Sequence, residues 1–402
     1  MGIHQDFRRE SKMDKIKIQA AQIHKNSIVI DSLFPTFMRP VGYSDSMNNR
    51  ADEMLNEGHN LNSISTEMAE IFERELYIHG SPFWDWWLKS GVNTIVTTVG
   101  GLESMSPSEA YASTVQQIAG WTKRFDSLKK LLKVTCGDDL QEAFNSSRYG
   151  VVLGMQNAIC LDNDLSKLDT LYNLGIRVIQ LTYNLRNMLG DGCIERTDAG
   201  LSEFGIKVVN RMNSLGILID LSHCGRQTTI DAIEASNAPV AFTHASCQTI
   251  YPHARGKSDE EMRILAKNDG YMGILILPDF ITAGKLSCQT LVDHIKHAVD
   301  ILGVDRVGIG TDYGTGADSP AMQLLKRKER ENEIRLYGRS WDGWEAHHWH
   351  KEMPIMKDYS DWRDFPNLTM ALLKNGFSEL DTKKIIGQNF LRVFQNAVRN
   401  AV

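Results

Sequence analysis

No apolar run in the 402 residues approaches the length that a bilayer-spanning helix needs, so no membrane partner is expected. The opening stretch, "MGIHQDFRRESKMDK", lacks the hydrophobic core of a secretory signal, and its Met-Gly start has Asp6 where a myristoylation site wants Ser or Thr. Basic excess is missing as well. Lys and Arg total 44 against 50 Asp and Glu, a formal net charge of −6, which argues against a nucleic-acid or anionic-surface partner. The six cysteines, at positions 136, 160, 193, 224, 247 and 288, form no CxxC pair and no disulfide-scaffold spacing. Reduced thiols and a cytoplasmic location are the expectation. There is no tandem repeat beyond the unit described next and no low-complexity tract. A glycine-rich phosphate loop after the first strand-like segment is also absent, which speaks against an open dinucleotide-binding sheet.

What is present is a succession of short, β-branched apolar runs alternating with amphipathic stretches. The strands are read at 27–32, 93–100, 150–157, 177–184, 216–223, 239–245, 271–278 and 306–313. Segments such as "LSKLDTLYNLG" (165–175) and "LSEFGIKVVNRMNSLG" (201–216) carry apolar residues three and four apart, and Gly216 suits a left-handed helix cap. Near-continuous apolar strands fit a parallel sheet covered on both faces. Eight such units predict a single α/β domain over 1–402, a (β/α)8 TIM barrel. Insertions follow strands one (33–91) and eight (314–365), and "FPNLTMALLKNGFSELDTKKIIGQNFLRVFQ" (365–395) reads as two helices packing across the barrel. Tryptophans 84, 86, 87, 341, 344 and 349 fall in the insertions, where they either wall a pocket or pack the insertions together.

In this fold the active site lies at the carboxyl ends of the strands. Strand three ends on Gln156 and Asn157, strand four on Tyr183 and Asn184, strand five on His223, strand six on His244 and strand eight on Asp312. Arg255 follows strand six. Two neutral imidazoles on adjacent strands suit one divalent metal. A carboxylate across the mouth, Asp312, suits orienting or deprotonating a water. Arg255 suits a forked bond to a substrate carboxylate. In "GDGCIERTDAG" (190–200), Asp191, Cys193 and Glu195 are either extra ligands or members of a turn-rich loop. Likewise "HHWH" (347–350) is either a substitute metal site or a packed loop. Cys224 faces away from His223 if strand alternation holds.

The segments "LGIRVIQLTYNLRN", "GLSEFGIKVVNRMNSLGILIDLSHCG", "PVAFTHAS", "HARGKSDEEM" and "VGIGTDY" together resemble the membrane (renal) dipeptidase family, peptidase family M19, of the amidohydrolase superfamily. The resemblance implies a metal-dependent barrel, commonly dimeric, that hydrolyses dipeptides with two zinc ions joined by a carboxylate. It matches His223 and His244 to the imidazoles of one zinc, Arg255 to the binder of the substrate carboxylate and Asp312 to the acid that assists the attacking water. Other positions depart from it. Leu33 and Pro35 stand where a His-x-Asp pair belongs, Gln156 replaces the bridging glutamate and Tyr183 replaces a substrate-contacting histidine. Two divalent ions a few ångström apart repel unless carboxylates lie between them, so the two-metal centre is not expected. The expected site has at most one divalent ion, zinc by the resemblance, on His223, His244 and Gln156, with His223, His244 and Asp312 catalytic and Arg255, Tyr183 and Asn184 binding the substrate. The expected substrate is a small carboxylate-bearing amide or dipeptide-like compound, and the expected assembly a homodimer. The alternatives are proton-transfer chemistry without hydrolysis, with no metal required, or an inactive small-molecule-binding barrel.

Overall fold

The computed structural model describes residues 2–34, 44–101, 103–282, 284–312, 320–337, 340–341, 344–345, 356 and 358–398. Eight parallel strands follow one another around a barrel: β1 (Ile30–Asp31), β2 (Thr94–Thr98), β3 (Tyr149–Met155), β4 (Ile176–Gln180), β5 (Leu218–Asp220), β6 (Ala241–Cys247), β7 (Tyr271–Ile274) and β8 (Val307–Ile309). The seam between β8 and β1 is drawn together by Ser32 N–H to the Ile309 carbonyl (3.0 Å) and Asp312 N–H to the Leu33 carbonyl (3.0 Å). The (β/α)8 barrel expected from the alternating pattern is therefore the observed fold, with every expected strand in place. Two strands of this sheet escaped the sequence reading: Gly256–Lys257, which pairs in parallel with the end of β6 at Ser246 and Cys247, and a four-residue strand beside β3. Leu131–Val134 pairs in parallel with the first half of β3, whose second half pairs with β4 after a register shift at Leu153/Gly154.

Several strands are shorter than their apolar runs. At the end of β5 the Asp220 carboxylate accepts the Ser222 N–H (3.0 Å), a local bond that turns the chain out of the ladder before His223. The expected helices appear at Ser166–Leu174 and Glu203–Leu215, the second ended by Gly216 at φ 76°. Such a left-handed cap costs a glycine nothing.

The C-terminal helix Asn389–Ala397 closes the amino-terminal end of the barrel. Phe390, Val393 and Phe394 join Ile30, Val96, Val152, Val178, Leu218, Ala241 and Tyr271 in one apolar cluster. Burying each large apolar side chain there contributes roughly 1.5–3 kcal/mol. The other half of this segment, Phe365–Lys374, packs beside the first helix, Gly2–Lys25, where the His24 ring receives the Thr369 hydroxyl (2.9 Å) and donates to the Ser90 carbonyl (2.8 Å).

The insertion after β1 carries three helices, Asp45–Asn56, Leu61–Leu76 and Pro82–Ser90. The insertion after β8 supplies the helix Pro320–Tyr337, which bonds back to the first through Ala321 N–H to Asp52 (2.8 Å) and Lys328 to Asn62 (3.0 Å). Trp84, Trp86 and Trp87 are buried. Trp86 packs on Trp362 at 5.0 Å between ring centres, and Trp362 stacks on Phe34 at 4.0 Å. Packing between elements thus accounts for these three. Pro35, Trp349 and the stretch 347–350 lie outside the described residues, as do the side chains of Trp341 and Trp344. Among the described residues no helix is long and apolar enough to cross a membrane.

Candidate active site

The carboxyl end of the barrel is organised by a polar layer inside β5 and β6. Asp220, fully buried, accepts four bonds: from Ser222 N–H (3.0 Å), the Ser222 hydroxyl (2.6 Å), Thr243 N–H (3.0 Å) and the Thr243 hydroxyl (2.7 Å). Adjacent residues of a regular strand point to opposite faces, yet Thr243 Oγ1 lies 2.8 Å from His244 Nδ1. A bulge makes this possible. Phe242 pairs with Met272 and Ala245 with Ile274, so β6 carries one residue more than β7 across that interval. Bulges re-aim side chains in this way beside active sites. Close approach of neighbouring backbones supports the layer, for a Cβ on Gly310 would sit 2.0 Å from the Thr243 carbonyl oxygen.

Above this layer the two histidines meet. His223 Nε2 and His244 Nε2 lie 2.9 Å apart, both rings buried. The Asn184 side-chain amide stands 2.7 Å from His223 Nδ1, and Cys193 Sγ–H points at the same amide oxygen (3.4 Å). Tyr183 stacks on the His223 ring, 4.0 Å between centres and 21° between planes. Cys193 N–H also binds the His223 carbonyl (2.8 Å), pinning the loop after β4 to the end of β5. Burial first, and the Arg255 charge second, hold both imidazoles well below the usual histidine range, hence neutral; Lys257 adds to this at His223.

Arg255 is 1% exposed. Its guanidinium donates to the Ser222 carbonyl through Nη1 and to the His244 carbonyl through Nη2 (2.8 Å), and Nε–H has no hydrogen-bond partner among the described residues. The fork therefore holds the two strand ends together. Gln156 donates to the Thr98 hydroxyl (3.0 Å), on the β2 side of the mouth. Asp312 occupies the left-handed region at φ 52°, just past β8. Such conformations in residues other than glycine cluster at functional sites. Leu33 is buried and apolar where the family resemblance calls for an imidazole.

The fold thus gathers His223, His244, Asn184, Tyr183 and Arg255 into one contact group. Gln156 bonds across to β2, and Asp312 stands on the β8–β1 seam. Among the described residues no three His, Cys, Asp or Glu side chains converge to hold a metal ion. The loop acids serve the loop itself: Asp191 pairs with Arg186 and accepts Ala199 N–H (2.6 Å), and Glu195 accepts Arg186 N–H (2.7 Å). Cys224 is buried in the apolar core, although β5 ends at Asp220 and strand alternation does not extend to it. The sequence reading missed Asp220 and Thr243. The signal was available, since both are polar residues inside otherwise apolar strands, Asp220 three residues before His223 and Thr243 one before His244.

Among the described residues, the donors that face each other suit a single metal ion. Two Nε2 atoms face each other, and each ring has an oxygen at Nδ1, the arrangement that orients imidazole ligands. By the family resemblance, the carboxylates that would join a second ion belong at positions that hold Pro35 and Gln156 here.

Comparisons with known proteins bear on this constellation. An uncharacterized dipeptidase of Schizosaccharomyces pombe, C965.12, is 32% identical over 217 residues, 52% of this chain and 52% of that protein. Dipeptidase verJ of Clonostachys rogersoniana is 29% identical over 260 residues, 64% of this chain and 58% of that protein. The chain spans about half the length of the dipeptidases it matches. An amidohydrolase from Pseudomonas aeruginosa superposes with a TM-score of 0.70 at 25% identity, covering 94% of this chain and 98% of that one. The pattern of the membrane dipeptidase family matches residues 18–328, more than three quarters of the sequence. With a parallel eight-stranded barrel and a histidine just past its fifth strand facing one on its sixth, the chain belongs to the membrane dipeptidase family, peptidase family M19.

Proposed function

We propose that this chain hydrolyses a small carboxylate-bearing amide or dipeptide-like substrate with at most one divalent ion, zinc by family precedent. The carrying observation is the facing pair of Nε2 atoms at 2.9 Å; among the described residues no three His, Cys, Asp or Glu side chains converge to hold a metal ion. His223 and His244 would hold the ion, with the Gln156 amide oxygen or water completing the set; bound there, it would polarise the scissile carbonyl and acidify a water. Arg255 supplies the positive charge for the substrate carboxylate, with Nε–H, which has no hydrogen-bond partner among the described residues, as one donor open to it. Asp312 takes the proton of the attacking water. Tyr183 and Asn184 form the β4 wall of the pocket, Tyr183 lying flat on His223. A cytoplasmic setting fits six free thiols, and a homodimer belongs to the same reading.

Elemental analysis of protein purified without added metal is expected to find one ion per chain or fewer, and His223→Ala and His244→Ala to abolish turnover and metal retention. Dipeptides and N-acyl amino acids are the substrates to screen, with product mass rising by one water. Two ions per chain would overturn the proposal. A second reading, proton transfer without hydrolysis, draws on the direct imidazole contact, a hydrogen bond of 2.9 Å between the two Nε2 atoms. Turnover with no gain of water, retained after chelation, would select it.

A further inference from the structure

The proton positions on the two imidazoles are governed from outside the pair, and not equally. The Thr243 hydroxyl has one hydrogen, and the Asp220 carboxylate 2.7 Å away takes it. Reversing that bond would set hydroxyl lone pairs against a buried carboxylate, which costs more than any gain at the ring. The Thr243 oxygen therefore presents a lone pair to His244 Nδ1 at 2.8 Å, and Nδ1 carries the hydrogen. His244 Nε2 is left as an acceptor.

At His223 the outer partner is an amide. Asn184 offers a carbonyl oxygen at one end and an NH2 at the other, exchanged by a half-turn of its terminal torsion. It can accept from a protonated Nδ1 or donate to a bare one. The Cys193 thiol beside it suits both settings, since sulfur is a weak donor and a weak acceptor. Two Nε2 lone pairs cannot face each other at 2.9 Å without something positive between them. In the metal-free neutral pair that is a hydrogen on His223 Nε2, donated to His244, which requires the Asn184 amide to make a half-turn from the setting with Oδ1 at His223 Nδ1 (2.7 Å), bringing its NH2 to the bare Nδ1.

We infer that His244 is the fixed member of the pair, locked as its Nδ1–H tautomer by Asp220 through Thr243, and His223 the exchangeable member, served in either tautomer by Asn184. Thr243 and Asn184 are thereby positioning residues, and this assignment rests on the reading of the two imidazoles as ligands. When the pair takes an ion, His223 alone changes tautomer: its hydrogen passes from Nε2 to Nδ1, Asn184 turns its oxygen to receive it, and no proton is lost from the pair.

The test uses the full chain with 15N-labelled histidine, stripped of metal by a chelator and then titrated with zinc chloride. Long-range 1H–15N spectra, assigned through His223→Ala and His244→Ala, read each tautomer directly. Expected in metal-free protein are Nδ1–H at His244 and Nε2–H at His223; with zinc, both become Nδ1–H. Thr243→Val is expected to release His244 into mixed tautomers and to weaken zinc binding 10–100-fold, and Thr243→Ser to restore both. Asn184→Asp, which can only accept, is expected to hold His223 as Nδ1–H before zinc is added. An Nε2–H His244 in the metal-free wild type, or an unchanged His244 in folded Thr243→Val, would overturn the inference. Should Thr243→Val not fold, because Asp220 loses a donor, the wild-type and Asn184→Asp spectra still decide. Correct tautomers in a protein that takes up no zinc would uphold the inference and sink the metal-dependent reading instead.

Discussion

The substitution Asp31→Asn probes the seam that sets the end of β8. Asp31 is completely buried and accepts Thr311 N–H (2.8 Å), the Thr311 hydroxyl (2.6 Å), Trp362 Nε1–H (3.3 Å) and Leu33 N–H (3.3 Å). Burial outweighs these donors and raises its carboxyl from 3.8 to about 7. The folded protein thus holds this proton more tightly than the unfolded chain between about pH 4 and 7. The sign follows from linkage: stability from Asp31 is fully present below about pH 4 and is lost as pH rises through about 7. A displacement from 3.8 to about 7 corresponds to about 4 kcal/mol across that window, an order-of-magnitude figure. An asparagine keeps the neutral shape but sets an NH2 against the Thr311 hydroxyl and the Trp362 indole. It is therefore expected to be the less stable protein near pH 5 and to lose nothing further as the pH rises. Urea unfolding of both proteins at intervals from pH 5 to 9 measures the difference. The expected outcome is a gap that closes and then reverses toward pH 8–9, by a total of a few kcal/mol. A gap that is flat with pH, or that widens in favour of wild type, would refute the assignment of a protonated Asp31 at the seam.

Lys257 is buried on Glu261 (3.2 Å), Thr229 (2.9 Å) and the Cys224 carbonyl (3.0 Å), so Lys257→Met strands a buried carboxylate and is expected to destabilise by about 3–5 kcal/mol in denaturant unfolding. Gly310→Ala drives a Cβ to 2.0 Å from the Thr243 carbonyl oxygen, where backbone must shift; a loss of about 1–3 kcal/mol or more, with weakened zinc uptake, is the expected result. Combining Leu33→His, Pro35→Asp and Gln156→Glu returns the missing ligand types. The metal count is expected to rise from one toward two per chain, and a count that stays at one would show that the lost carboxylates are not what limits the site.

The barrel was legible because its signal is repeated. Each of eight strands is an apolar run bounded by helical periodicity, so an error at one boundary leaves the count intact. What escaped was local. "LLKV" at 131–134 is short and half-exposed, and it becomes a strand only because β3 has a free edge there before β4 joins it. The early ends of the strands have a similar origin, for side chains such as Asp220 capture backbone donors that the ladder would otherwise use.

For the site, strand order alone identified His223 and His244, because a parallel barrel delivers its strand ends to one mouth. It also placed Gln156 and Asp312 at that mouth, but strand order carries no information about which neighbours a side chain reaches. Gln156 turns to Thr98, and Arg255 spends two of its donors on the carbonyls of Ser222 and His244. The bulge in β6 matters most. Strict alternation puts Thr243 and His244 on opposite faces, and no residue type in "AFTHASC" marks the extra residue. Without the bulge Thr243 could not reach both Asp220 and His244, and the imidazole pair would lack its fixed half. The facing histidines of this barrel are therefore readable from sequence, whereas the tautomers proposed for them depend on one irregularity of the sheet.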